Sequence, residues 1–281
     1  MTPTTLHSGD AQFQYVEGQG RPGFPALLAR FEADSAAASA AGQLDIRYGE
    51  AARECFDFFA AQGPACATLV YFHAGYWQSR DKSLFRGIAP AFTRTGVHVA
   101  LVNYPLCPHV SLGDLLAAAR RGTQAVARHA QALQGRALPL IAAGHSAGGH
   151  IAVELGLAPW GAQDQAIAGV LALSGVYDLA PLRTTTLNVN LGLDAASAQR
   201  YSPLRRATPG APPALFAVGG AETPAFVAQN QAMHAAWLAA GNRSQVAVVQ
   251  GADHFSLLDH LTEPADALHQ QVLSLITEST A

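Results

Sequence analysis

Cysteine is scarce: the 281 residues hold three, Cys55, Cys66 and Cys107. So odd and sparse a set argues against a disulfide framework, and no two of them stand at C-x-x-C metal spacing. Lysine is scarcer still, a single Lys82 among seventeen basic residues, the rest being arginine. Charged residues make up only 13% of the chain and the formal balance is −3, so nothing suggests nucleic acid or an anionic membrane as a partner. No apolar run approaches the ~18–20 residues needed to cross a bilayer. The opening MTPTTLHSGD has neither the basic nor the apolar region of a secretory leader, and the expected location is the cytoplasm. Internal repeats and low-complexity tracts are also missing. Apolar residues are plentiful, 49% of the chain, enough for one sizeable core. The partner this leaves is a small molecule, with a homo-oligomer left open.

The first 43 residues read as an N-terminal extension. A polar lead punctuated by Gly and Pro runs to Gly23, followed by a helix from Pro25 to about Ala40 that packs on the core. From residue 44 to 281 strands alternate with helices. Leu44–Tyr48 and Arg53–Phe59 read as an early strand pair. Ala67–Phe72, Val97–Tyr104, Pro139–Ala143, Ile167–Leu173, Ala214–Val218 and Gln245–Val249 follow as further strands. Several are apolar at every position, as strands covered on both faces are. Helices are expected over Asp114–Leu133, Gly148–Leu157, Pro224–Ala240 and Ala265–Ile276. This alternation predicts an α/β domain with a mostly parallel sheet and helices on both faces. Tyr177–Pro213 is too long for an ordinary connection, and a small cap over the site is its expected role.

Gly144-His145-Ser146-Ala147-Gly148 fits G-x-S-x-G and sits between a strand and a helix. A serine hydroxyl is a weak nucleophile unless it is exposed beside a base. The sharp strand-to-helix turn presents Oγ, and the small flanking residues avoid a clash across that turn. The following helix turns its N-terminal amides toward developing negative charge. The predicted fold is therefore the α/β-hydrolase fold, with Ser146 as nucleophile. The strand at 67–72 runs into His73-Ala74-Gly75-Tyr76-Trp77, which is similar to the H-G-G oxyanion loop of esterase-like hydrolases. Oxyanion-hole donors are then expected from Gly75, Tyr76 and Ala147. Tyr76 and Trp77 are expected to line the substrate pocket, and His73 to buttress the loop.

In this fold the triad order is serine, acid, histidine. His254 follows the last strand, where the catalytic histidine loop belongs, whereas His145 and His150 flank the nucleophile in directions that make poor bases. His260 and His269 are expected at the surface. For the acid, Glu222 occupies the loop after the penultimate strand. Asp178, one strand earlier, is the alternative acid, and Asp253 stands too close in sequence to hold the imidazole in line. Asp81 and Lys82, just after the oxyanion loop, are expected either to anchor it or to meet a charged group on the substrate.

Seven segments resemble the serine-hydrolase kynurenine formamidases (arylformamidases): LDIRYG at 44–49, HAGYWQSRDKS at 73–83, NYPLCP at 103–108, GHSAGGH at 144–150, SGVYDLAPL at 174–182, ETPAF at 222–226 and DHFSLLD at 253–259. The resemblance implies hydrolysis of N-formyl-L-kynurenine through a formyl-enzyme on Ser146. It also implies no metal and no other cofactor, and an acid at Glu222. Tyr76 and Trp77 would stack on the aryl leaving group. Ala74 departs from the family's H-G-G-Y-W. A general short-acyl carboxylesterase would use the same machinery and stays open. So does, more remotely, a catalytically dead binding protein.

Overall fold

The computed structural model describes residues 10–280. The first nine residues of the expected polar lead, and Ala281, lie outside the described residues. A single eight-stranded sheet organises the rest, in the order β1-β2-β4-β3-β5-β6-β7-β8. Its strands are β1 (Gln43–Arg47), β2 (Cys55–Phe59), β3 (Ala67–Phe72), β4 (Val97–Val102), β5 (Leu140–His145), β6 (Ile167–Leu173), β7 (Ala214–Gly219) and β8 (Ser244–Val249). The pairs β1·β2 and β2·β4 are antiparallel and every later pairing is parallel. The mostly parallel sheet expected from the alternation is therefore present.

β3, β4 and β5 are buried along their whole length, which explains their unbroken apolar composition. The helices that cover them are, in chain order, α1 (Ala11–Tyr15), α2 (Phe24–Ser39), α3 (Ala89–Thr93), α4 (Leu112–Gln134), α5 (Ala147–Gly156), α6 (Asn188–Leu191), α7 (Ala195–Arg200), α8 (Pro224–Ala239), α9 (Leu257–Thr262) and α10 (Ala267–Thr280). The longest, α4, starts where Ser111 Oγ accepts from the Asp114 amide at 3.1 Å. It stops at Gly135, whose φ of +70° suits glycine. α3 and α9 are too short to show periodicity, and the sequence reading missed both.

The lone lysine explains how the antiparallel edge joins the parallel core. Lys82 is buried with its Nζ 2.6 Å from Asp57 and 2.7 Å from Asp45, and Arg86 Nε approaches the other Asp57 oxygen at 2.7 Å. Asp57 is wholly buried on β2, so its charge is tolerated only because two cations and the Asp45 amide satisfy it. Lys82 is thus turned away from any substrate.

Two placements differ from expectation. Tyr177–Pro213 folds into short turns and helices around α6 and α7, and contributes no described residue to the cleft containing Ser146. That wall comes instead from the N-terminal segment. Thr223 Oγ donates to the Gln14 carbonyl, and Arg21 reaches the Ala221 carbonyl at 2.6 Å. His269 is buried, its Nδ1 donating to Leu261 O over 2.8 Å and its ring stacked on Phe92, because that face of α10 packs against the sheet.

Candidate active site

β5 ends at His145 and α5 begins at Ala147, leaving Ser146 alone in the turn at φ +57° and ψ −117°. A non-glycine residue there is strained by about 1–3 kcal/mol, and it persists because the surroundings over-determine it. The Ser146 amide donates to Leu173 O at 2.7 Å, and its carbonyl accepts from the His150 amide at 3.1 Å. The flanking glycines are steric necessities. A Cβ on Gly148 would stand 1.9 Å from the Phe72 carbonyl oxygen, and one on Gly144 would stand 2.2 Å from that of Gly148. Close approach of α5 to β3 is what brings its first amide beside the loop that leaves β3.

That loop is itself strained. Gly75 has φ +131°, and Tyr76, Trp77 and Arg80 also have positive φ. A Cβ at Gly75 would meet Ser79 O at 2.2 Å. Ala74 lies outside the left-handed region and its methyl is buried in a core cluster, so the departure from glycine costs nothing visible here. Among the described residues no backbone acceptor takes the Tyr76 or Ala147 amide, which leaves both available. His73 braces the loop from behind. Its Nδ1 lies 2.7 Å from Ala74 O, its Nε2 3.2 Å from Arg53, and Tyr104 donates to its carbonyl at 2.8 Å. Arg53 also bonds Arg80 O at 2.8 Å and Asp81 at 3.2 Å, so Asp81 anchors the loop and is itself held by Asn103.

Glu222 and His254, the expected acid and base, are brought together. Glu222 Oε2 lies 2.7 Å from His254 Nδ1, both side chains almost wholly buried. The other oxygen, Oε1, accepts from the Gly219 amide at 2.8 Å and from Ser174 Oγ. Ser174 was not singled out by sequence reading. The signal was topological: β6 neighbours β7, so the residue after β6 lies beside the loop after β7. His145 supports the histidine loop through a 2.6 Å contact between its Nε2 and His254 O. Burial first, then the charges of His254 and Arg80, hold its ring well below the usual histidine range. Asp178 faces elsewhere, pairing with Arg205 at 2.9 Å and accepting from the Ala180 amide at 3.0 Å. Asp253 caps its own turn by accepting from the Phe255 and Ser256 amides.

Ser146 and His254 open onto one cleft of about 420 Å³, within the range of small-molecule pockets. Gly75, Tyr76 and Arg80 line one side, and Val16, Gln19 and Phe24 of the N-terminal segment another. Tyr76 is therefore pocket-lining, its hydroxyl donating to the Tyr15 carbonyl. Trp77 is not. It is wholly buried, edge-on to His150, because its left-handed backbone turns the indole into the core, and this corrects the expected substrate contact.

Burial also lowers the pKa of His73 and His150 from 6.5 to about 4. The unfolded chain would take up these protons near pH 6.5 and the folded chain only near pH 4. Stability is then fully present above about pH 6.5 and falls as pH drops toward 4, by on the order of 1.4 kcal/mol per pH unit for each ring. Urea midpoints measured at pH 7, 5.5 and 4.5 should decline in that order, and a constant midpoint would contradict the neutral buried assignment.

The fold, the strained serine turn and the Glu222–His254 pair define a class, and comparison with known proteins agrees. The alpha/beta hydrolase fold family matches residues 69–258. The kynurenine formamidase of Danio rerio is 30% identical over 247 residues, covering 84% of this chain and 82% of that protein. That of Salmo salar is 26% identical with the same coverage. A candidate thioesterase from Silicibacter sp. superposes with a TM-score of 0.81 at 27% identity, covering 95% of this chain and 99% of that one. The chain belongs to the α/β-hydrolase family and, within it, to the kynurenine formamidase-like hydrolases. Among the described residues no helix is long and apolar enough to cross a membrane.

Proposed function

We propose that the chain is a serine hydrolase that cleaves an N-formyl arylamine, N-formyl-L-kynurenine being the substrate its relatives suggest. The observation that carries the reading is the 2.7 Å Glu222–His254 contact in a cleft that Ser146 shares. Glu222 holds the proton on His254 Nδ1, leaving Nε2 as the base. Ser146 Oγ attacks the formyl carbon while its proton passes to Nε2. The oxygen that becomes charged is received by the amides of Gly75, Tyr76 and Ala147. His254 then returns the proton to the arylamine nitrogen as the C–N bond breaks, leaving a formyl ester on Ser146. Water, deprotonated by His254, releases formate.

A formyl group needs almost no acyl pocket, so the cleft serves the leaving group. Phe24 and Phe255, 4.7 Å apart between ring centroids, join Tyr76 in offering aromatic faces to it. The mechanism needs no metal. Three cysteines that all remain free thiols fit the proposed location in the cytoplasm.

The test is a substrate panel. The kcat/KM for N-formyl-L-kynurenine should equal or exceed that for p-nitrophenyl acetate, although the ester has the better leaving group. A preference for the ester, or for a short acyl thioester, by several orders of magnitude would replace this reading with that of a general esterase or thioesterase.

A further inference from the structure

We propose that Arg80 is a specificity-determining residue that selects substrates bearing a carboxylate on the leaving-group side. This deepens the hydrolase reading and rests on the cleft being its site. Arg80 lines the cleft with Ser146 and His254. Its guanidinium stands over the ring of Phe255 at 4.9 Å and that of Phe24 at 5.4 Å. Ring faces orient a guanidinium and exclude water, but they leave its N–H groups unused in the plane. Among the described residues no carboxylate, carbonyl or hydroxyl accepts from that group.

The other charges nearby are committed. Arg21 spends its guanidinium on the carbonyls of Gly18, Gly20 and Ala221. Asp81, next in sequence, is taken by Arg53 and Asn103. No Asp or Glu among the described residues lines the cleft. A half-buried, partnerless arginine is costly to maintain, and burial draws its pKa down from the ordinary value. Its backbone is strained as well, at φ +70°, and is clamped there by the 2.8 Å bond from Arg53 to its carbonyl. A single planar fork, with no second free cation among the described residues that line the cleft, suits a planar monoanion, and a carboxylate can take two parallel bonds from it. A phosphate would call for more donors. In the proposed reaction the carboxylate is that of the amino-acid tail on the aryl group.

Two matched pairs test this. The ester pair is 4-acetoxybenzoate and its methyl ester. The formamide pair is N-formyl-L-kynurenine and 2-formamidoacetophenone, the same aryl formamide without the charged tail. In the native enzyme the carboxylate-bearing member should be preferred within each pair it hydrolyses, by about tenfold or more in kcat/KM. In Arg80→Gln that ratio should fall by about tenfold or more, to near one, carried mainly by KM, and Arg80→Lys should recover part of it. A native ratio of one or less overturns the proposal without recourse to any variant, and so does an unchanged ratio in a folded Arg80→Gln. If neither formamide is cleaved but the ester ratio depends on Arg80, the formamidase reading fails and the carboxylate site stands. If both formamides are cleaved equally well, the site fails and the formamidase reading stands.

Discussion

Ser146→Ala should lower kcat/KM by about 10⁴–10⁶-fold on every substrate the native enzyme hydrolyses, while leaving the fold intact. The size follows from the bond being made: without Oγ no acyl-enzyme forms, and His254 and the loop amides are left to position water alone. Retention of the fold follows from how the turn is built. The strained φ of Ser146 is held by backbone bonds, from its amide to Leu173 O and to its carbonyl from the His150 amide. Alanine keeps both and introduces no larger atom where glycines 144 and 148 allow none. The melting temperature should therefore move by only a few degrees. Labelling by a fluorophosphonate probe should be stoichiometric in the native protein and absent in the variant. A variant that kept a tenth of the native activity with a native circular dichroism spectrum would remove Ser146 from the chemistry.

The elements that the sequence exposed are those whose physics is local. A strand buried on both faces is apolar throughout, and an elbow that cannot admit a Cβ writes its glycines at 144 and 148. Glu222 and His254 were found because each follows a strand at the same end of a parallel sheet, where side chains from successive loops converge. What stayed hidden depends on contacts across long separations. Trp77 reads as a pocket-lining aromatic beside the oxyanion loop, but its ring is wholly buried in the core. The N-terminal lead reads as an appendage because its residues are polar and unpatterned. Its long-range bonds, among them those from Arg21 to Ala221, from Thr223 to Gln14 and from Tyr76 to Tyr15, show that it walls the cleft. Ser174 opens the SGVYDLAPL segment, but nothing in that motif assigns it a role. Its value lies in one hydroxyl directed at one carboxylate oxygen.

Glu222→Gln should lower kcat by about 10³–10⁴-fold with little change in KM, and the hydrogen bonds of the acid say why. The Gly219 amide and Ser174 Oγ both donate to Oε1, so an oxygen must stay in that position. The glutamine amide nitrogen is then forced into the place of Oε2, 2.7 Å from His254 Nδ1. An NH₂ group only donates, so Nδ1 must present its lone pair and the ring proton moves to Nε2. The imidazole now points an N–H at Ser146 and has no lone pair to take the serine proton. Ser174→Ala removes only one of the two donors, and the Gly219 amide still requires an oxygen at that position, so the double variant should be as impaired as Glu222→Gln alone. Asp178→Asn supplies the contrast. That carboxylate serves a half-exposed pair with Arg205, worth at most about 1 kcal/mol, so its loss should register in the unfolding midpoint while kcat stays within about threefold of native. Should Asp178→Asn abolish turnover while Glu222→Gln only softens the fold, the imidazole takes its acid from the end of β6 instead of from the loop after β7.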